Sequence, residues 1–205
     1  ADRVALIAYD YTVLAGTQGQ RNHRKTDRMI DVAARTRTPL VLFSEGGGGR
    51  PGDTDEGGGG SQTFAHFPQL SGLIPLVGIT SGRCFAGNAS VLACCDIIIA
   101  TANSNIGMGG PAMIEGGGLG VFAPEDIGGM DVQVPNGVVD IAVEDEVEAI
   151  EVAKQYLSYF QGTVSDWEAP DQRKMRRIVP ENRLRVYNIR EVIDTIADIG
   201  SVLEL

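Results

Sequence analysis

Two stretches of sequence decide the fold: PLVLFSEGGGGR at residues 39–50 and PLVGITSGRCFAGNA at residues 75–89. Each starts with a short apolar run typical of a buried strand and continues into a glycine-rich turn, and the second turn leads directly into a helical pattern. Glycine lets a backbone N–H approach a ligand with no Cβ in the way. Amides from two neighbouring strand ends can therefore converge on one oxygen, as in an oxyanion hole.

The rest of the chain alternates between strand and helix patterns. The apolar runs lack polar alternation, which favours strands covered on both faces of a parallel sheet. The segment 144–160 is the clearest helix, with apolar residues on one face. The fold class is therefore α/β with repeated βαβ units. We predict strands at 3–9, 39–44, 75–80 and 96–101, weaker strands at 131–134 and 138–143, and helices at 24–36, 62–71, 87–95, 144–160 and 189–199.

The sequence changes character after Gly162, where charged residues and prolines replace the apolar runs. We predict a first domain over 1–162 and, over 163–205, a polar linker that ends in an amphipathic helix. The run GGGGS at 57–61 has the composition of a flexible linker, and we assign it no function.

Composition excludes several classes of protein. The net charge of −10 argues against a nucleic-acid partner. No apolar run approaches 18 residues and no signal peptide is visible, so we expect no membrane partner. The three cysteines, Cys84, Cys94 and Cys95, are odd in number and lack metal-ligand spacing. We therefore expect buried thiols in a reducing compartment and no metal site.

The common catalytic motifs are absent or weak. No glycine precedes a lysine, as a phosphate-binding P-loop requires, and no Gly-x-Ser-x-Gly elbow occurs. The spacing of Gly47, Gly49 and Gly52 matches a dinucleotide fingerprint, but no helix pattern follows it to receive a pyrophosphate.

A third glycine cluster covers residues 106–118 and predicts a pocket wall. Its apolar residues suit a binding surface, and Gly109 and Gly110 allow close backbone approach. Glu115 is its only ionisable side chain. It is a candidate general acid or base, or alternatively a helix cap or the partner of an arginine.

These residues resemble a known family. Residues 81–89 and 95–100 are similar to the second half of a crotonase oxyanion motif. Residues 105–116, 11–19 and 43–53 resemble the carboxyltransferase subunit of biotin-dependent acyl-CoA carboxylases, of the propionyl-CoA and acetyl-CoA type. The resemblance covers about 1–162 and 178–205. It implies a crotonase-like spiral of ββα units, with most of an N-terminal carboxyltransferase domain that lacks its first strand, and only the entry to a C-terminal one.

The resemblance also implies a mechanism. Carboxybiotin, carried on a partner domain, gives up its carboxyl group to the α carbon of an acyl-CoA, and backbone amides stabilise the enolate. The expected amide donors are those of Gly47 and Gly48, with Gly87 and Ala86 opposite. The expected substrate-binding residues are Gly109, Gly110, Glu115 and Arg50, the last on a CoA phosphate or, alternatively, in a salt bridge to Asp53 or Asp55.

The implied partners are a biotin carboxylase component, a biotin carboxyl carrier component and further copies of the same subunit. The expected location is the cytoplasm, or the mitochondrial matrix in a eukaryote. Since the family's site lies between domains of two subunits, this stretch alone should be inactive. Two alternatives remain: another crotonase-type acyl-CoA enzyme (a hydratase, isomerase or decarboxylase), or a fragment that serves only in assembly.

Overall fold

A computed structural model describes residues 3–50 and 61–205. The chain divides into two compact units, Ala1–Phe160 and Gln161–Leu205. The predicted linker at 57–61, except Ser61, lies outside the described residues. Gly52 of the dinucleotide spacing also lies outside them.

The first unit is built on a parallel sheet. Its strands are β1 (Ala5–Ala8), β2 (Leu40–Phe43), β3 (Leu76–Thr80), β4 (Arg83–Phe85), β5 (Ile97–Thr101), β6 (Asn105–Gly107) and β7 (Ile141–Val143). Its helices are α1 (Gln20–Thr36), α2 (Thr63–His66), α3 (Gly87–Leu92), α4 (Pro111–Gly116), α5 (Met130–Gln133) and α6 (Glu146–Ser158). The main sheet has the order β1-β2-β3-β5-β7, and β4 pairs with β6 in a second, two-stranded sheet.

The apolar runs form strands because both faces of the sheet are covered. Every residue of β3 and β5 is buried. A core cluster that includes Leu40, Leu76 and Phe67 packs α1 and the 3-10 segment Phe67–Leu70 on the sheet. In β1, by contrast, only alternate residues are buried, because this strand lies at the edge of the sheet.

The order of elements repeats a ββα unit twice. In each repeat a strand of the main sheet, β3 or β5, is followed by a strand of the small sheet, β4 or β6, and then by α3 or α4. Strands β4 and β6 are parallel, with Cys84 opposite Ile106. This succession agrees with the predicted crotonase-like class.

The structure corrects two predictions about secondary structure. Residues 131–134, predicted as a strand, belong mainly to α5, which begins after Gly129 and has Asp131 in its first turn. The predicted helix 62–71 divides into α2 and a 3-10 segment at Pro68, since proline removes a helical N–H donor.

The remaining helices form near the predicted positions. Helix α1 starts four residues before the predicted helix 24–36, and α3 ends at Leu92. Helix α6 begins after Asp145, whose carboxylate accepts the N–H groups of Val147 and Glu148, both at 2.9 Å.

The second unit contains α7 (Met175–Ile178) and α8 (Ile189–Ile196). Helix α8 begins where the Asn188 side chain accepts the Arg190 N–H at 3.0 Å. The Arg190 guanidinium pairs with Glu204. Most of this unit's side chains are exposed.

Candidate functional site

The two glycine turns lie against each other. Gly46 donates its N–H to the Arg83 carbonyl at 2.7 Å and accepts the Phe85 N–H at 2.8 Å, so the first turn pairs with β4. A methyl group at Gly48 would lie 2.6 Å from the Ala86 Cβ and 3.2 Å from the Gly87 nitrogen. The turns are therefore as close as a glycine at position 48 allows.

Asn88 holds the two turns together. Its side-chain oxygen accepts the Gly48 N–H at 2.9 Å, and its Nδ2 donates to the carbonyl of Glu45 at 3.0 Å. Its own carbonyl accepts the hydroxyl of Ser44 at 2.9 Å. Asn88 is completely buried. The role of Asn88 was not predicted, because its only signal in the sequence is a polar side chain between two small residues at the start of a helix.

Three of the four expected amide donors are engaged within the chain. Gly48 N–H is bonded to Asn88, Ala86 N–H donates to the Gly107 carbonyl at 2.9 Å, and Gly47 N–H donates to the Ala15 carbonyl at 3.2 Å. This corrects the expectation that all four amides are open to a ligand. Gly87 N–H, at the first position of α3, has no acceptor among the described residues, as is usual for the first amides of a helix.

The surroundings of Gly87 are tight on one side. A Cβ at this position would overlap the side-chain oxygen of Gln18 and lie 3.1 Å from the Phe64 ring. Gln18 is buried, its Nε2 donates to the Tyr9 hydroxyl at 3.2 Å, and its Oε1 has no partner among the described residues. The rings of His23 and Phe64 meet in a T-shaped arrangement, with centroids 5.5 Å apart. An alanine at position 87 therefore requires the Gln18 carboxamide to move.

Ala86 has a strained backbone. Its φ of 51° and ψ of −120° lie in a region that side chains with a Cβ rarely adopt. It immediately precedes Gly87 and its methyl group faces Gly48. Strain of this kind costs about 1–3 kcal/mol and is often found at functional sites.

A mainly apolar cavity of about 260 Å³ opens beside the first turn. The predicted residues Gly47 and Gly110 both line it, and Gly109 lies next to it in the chain. Among the described residues, its lining is Tyr11, Gly46, Gly47, Arg83, Phe85, Gly110, Pro111, Ala112, Met113 and Pro124.

Glu115 does not belong to this cavity. It lies on α4 but is exposed and absent from the lining. The expected apolar setting for a general acid or base is therefore wrong, because α4 turns this position outward. Arg83, the one charged side chain in the described lining, was not among the predicted site residues.

Arg50 is held by the chain itself. Its Nε donates to the Thr17 hydroxyl at 3.1 Å and its Nη2 to the Thr17 carbonyl at 3.0 Å. The alternative partners Asp53 and Asp55 lie outside the described residues. Arg50 therefore fastens the first glycine turn to the segment before α1.

The cysteines show no reactive environment. Burial raises the pKa of the Cys84 thiol to about 12 and also raises the pKa of Cys94 and Cys95. Within residues 3–50 and 61–205, no three His, Cys, Asp or Glu side chains come together as metal ligands. The same residues contain no helix both long and apolar enough to span a bilayer.

The repeated ββα units and the converging glycine turns define a crotonase-like α/β domain. Residues 2–205 match the family model described as the carboxyl transferase domain, and the chain belongs to that family.

Solved structures and a curated relative agree with this assignment. A single-chain, multi-domain long-chain acyl-CoA carboxylase is 61% identical, with a TM-score of 0.90 over 97% of this chain and 20% of that chain. Transcarboxylase 12S, a hexamer with hydrolysed methylmalonyl-CoA bound, is 26% identical, with a TM-score of 0.80 over 96% of this chain and 40% of that one. A biotin-dependent long chain acyl-coenzyme A carboxylase beta4 subunit of Mycobacterium tuberculosis (strain ATCC 25618 / H37Rv) is 25% identical over 98% of this chain and 41% of its own length. The chain spans about two fifths of the curated relatives it matches.

Proposed function

We propose that this chain is the acyl-CoA side of a biotin-dependent carboxyltransferase, which moves a carboxyl group from carboxybiotin to the α carbon of an acyl-CoA. The observation that carries the proposal is the contact between the two glycine turns at Gly48 and Ala86, next to the open N–H of Gly87. Family membership and the named activities of the relatives support it.

The residues around Gly87 fit such a role. When the α carbon of a thioester loses its proton, negative charge develops on the thioester oxygen, and a fixed N–H dipole stabilises that charge. Gly87 N–H supplies one dipole. Gly47 N–H supplies a second, since its 3.2 Å bond to Ala15 is the longest among the engaged amides and is the easiest to exchange. In this proposal Gly48 and Ala86 hold the turns in place.

When bound, carboxybiotin supplies the carboxyl group through cleavage of its N–C bond, and its freed nitrogen receives the α proton. The chain itself then needs no side-chain base, which agrees with an exposed Glu115 and unreactive cysteines. Its task is to bind the thioester, orient it and exclude water.

The cavity beside Gly47 suits an acyl group. Its lining is mainly apolar, with Phe85, Met113 and the Gly110–Ala112 backbone as walls. Burying a methylene group there contributes roughly 0.8 kcal/mol. The relative with 61% identity is named for long-chain acyl-CoA, and we propose a long-chain acyl-CoA as the substrate class.

We further propose how the chain is organised and where it acts. Residues 1–162 form part of the crotonase-like N-terminal carboxyltransferase domain, and 163–205 form the linker and the entry to the C-terminal one. The partners are biotin carboxylase and biotin carboxyl carrier components and further copies of this subunit, in the cytoplasm or the mitochondrial matrix. The hexamer reported for transcarboxylase 12S supports the homo-oligomer.

A matched pair of glycine substitutions tests the proposal in the assembled carboxylase. Gly87→Ala places a methyl group on the Gln18 carboxamide and 3.1 Å from the Phe64 ring, and we expect this crowding to displace the donor, whereas a methyl group at Gly49 meets no described atom. We expect Gly87→Ala to lower kcat for carboxyl transfer by about 10²–10³ and Gly49→Ala to leave it within about threefold. Labelled carboxyl transfer into acyl-CoA is the measurement. Full activity of Gly87→Ala, or activity that avidin does not inhibit, would contradict the proposal.

A further inference from the structure

Arg83 introduces a charge into the apolar cavity beside the first glycine turn. It begins β4, directly opposite Asn105 of β6, and lines the cavity with Gly46 and Gly47. All other side chains in the described lining are uncharged. The cation therefore lies close to where the proposed function places the reacting end of the acyl group.

The guanidinium of Arg83 pairs with the carboxylate of Glu125. The side chain of Tyr11 and this carboxylate both raise the pKa of Arg83. Both ionic side chains are substantially exposed, at 40% for Arg83 and 60% for Glu125. An exposed ion pair contributes only about 0–1 kcal/mol, so another carboxylate can replace Glu125 at little cost.

A guanidinium presents five N–H donors in a planar fork that matches the two oxygens of a carboxylate. Tyr11 lines the same cavity and offers a phenolic O–H as a further donor. A carboxylate that enters a mainly apolar space needs such partners, because an unpaired charge is expensive to bury. An acyl group without a carboxylate needs none of them.

We propose that Arg83, assisted by Tyr11, binds the carboxylate of the carboxylated acyl-CoA and so distinguishes that form from the uncarboxylated one. The proposal rests on the proposed function, since it takes the cavity as the place of the acyl α carbon. Arg83 makes and breaks no covalent bond. Arg83 is a specificity-determining residue that favours the carboxylated acyl-CoA, which carries the added negative charge.

Binding of two ligands to the assembled carboxylase tests the inference. The probes are an acyl-CoA and its α-carboxylated form, measured by calorimetry for the wild type and Arg83→Gln. We expect Arg83→Gln to weaken the carboxylated form at least tenfold and to leave the acyl-CoA within twofold. Arg83→Lys should retain part of the preference, because a lysine keeps the charge but loses the fork.

Three further variants sharpen the result. Tyr11→Phe should weaken only the carboxylated form, by about two- to fivefold. Glu125→Gln should strengthen only the carboxylated form, because it removes the competing carboxylate. Arg173→Gln removes an arginine that pairs with Asp171 in the second unit, and should change neither affinity.

The outcomes separate the two proposals. If Arg83→Gln weakens both ligands equally, or neither, the inference is wrong while acyl-CoA binding by the wild type still supports the proposed function. If the wild type binds neither ligand, the proposed function fails as well. If Arg83→Gln lowers the melting temperature, its effect on binding could come from a loss of structure, and Glu125→Gln then distinguishes the two explanations. A purely structural role of the Arg83–Glu125 pair predicts that Glu125→Gln does not increase the affinity for the carboxylated form.

Discussion

The side-chain oxygen of Asn88 accepts the N–H of Gly48 at 2.9 Å, and this bond joins the two glycine turns. Asn88 lies in the first turn of α3, so the bond fixes the position of that helix relative to the end of β2. The same carboxamide donates to the Glu45 carbonyl at 3.0 Å. One buried side chain thus satisfies a donor and an acceptor of the first turn while it withdraws the Gly48 amide from any ligand.

Replacing Asn88 by alanine should therefore loosen the first turn. The Gly48 N–H and the Glu45 carbonyl would lose their partners, and each unsatisfied buried group costs about 1–3 kcal/mol. We expect the opening free energy of residues 40–50, measured by hydrogen exchange with mass spectrometry, to fall by at least about 2 kcal/mol. Asn136→Ala, at an exposed asparagine, should change it by less than about 0.5 kcal/mol. Equal protection in Asn88→Ala and the wild type would show that water replaces the side chain without loss.

Ala86→Gly should stabilise the second turn. Glycine adopts a φ of 51° without steric cost, whereas alanine bears strain of about 1–3 kcal/mol there. The greater freedom of glycine in the unfolded chain offsets about 0.5–1 kcal/mol of this gain. The net increase in opening free energy for residues 81–92 should be about 1 kcal/mol.

Ala93 provides the matched control for this substitution. It is an exposed alanine with an ordinary φ of −64° and ψ of −10°. Ala93→Gly should lower stability by about 0.5–1 kcal/mol, the opposite sign from Ala86→Gly. If both substitutions destabilise to the same extent, the backbone of Ala86 carries no strain.

Gly48 and Ala86 should show energetic coupling. Gly48→Ala places two methyl groups 2.6 Å apart and imposes a φ of 86° on an alanine. In an Ala86→Gly background the clash between the methyl groups disappears, but residue 48 still has a positive φ. We therefore expect Gly48→Ala to lower the opening free energy by about 1–3 kcal/mol less in this background than in the wild type. A double-mutant cycle on the same hydrogen-exchange readout measures the coupling. Additive effects within about 0.5 kcal/mol would place the two residues out of contact.

The main sheet could be predicted from sequence because its strands are simple. Runs such as residues 39–43 and 75–79 are apolar throughout, bounded by proline and glycine, and separated by helical patterns. All four stronger strand predictions correspond to strands of the sheet. Strands β4 and β6 could not be predicted, since each has three residues and lies inside a segment whose glycines dominate the pattern.

Of the candidate site, only the close approach of the two glycine turns could be predicted from sequence. The glycines at 46–49 and at 87 indicated close backbone approach, and the structure brings the two turns into contact. Which N–H groups remain open depends on partners distant in sequence, such as Ala15 for Gly47 and Gly107 for Ala86. Local spacing carries no information on these bonds, which is why four amides were expected to be open.

Glu45 should make stability depend on pH. Burial raises the pKa of its carboxyl, and the negative charge of Glu146 raises it further, against the opposing effect of the Ser81 N–H bond. As the pH rises through about 4.5, the ordinary pKa of a glutamate carboxyl, the unfolded chain releases this proton before the folded chain does. The folded state therefore loses stability with rising pH until the pH passes its own, raised pKa. Glu45→Gln keeps an oxygen acceptor for the Ser81 N–H and removes the half-buried charge. We therefore expect this variant to be more stable than the wild type at pH 7 and the difference to vanish below pH about 4.5, as measured by urea titration monitored with hydrogen exchange of residues 40–50.

Glu168→Gln, at an exposed glutamate, is the control for the change in net charge and should show no such pH-dependent gain. A difference between Glu45→Gln and the wild type that stays constant from pH 4 to 7 would mean that the carboxyl of Glu45 carries no penalty for its burial.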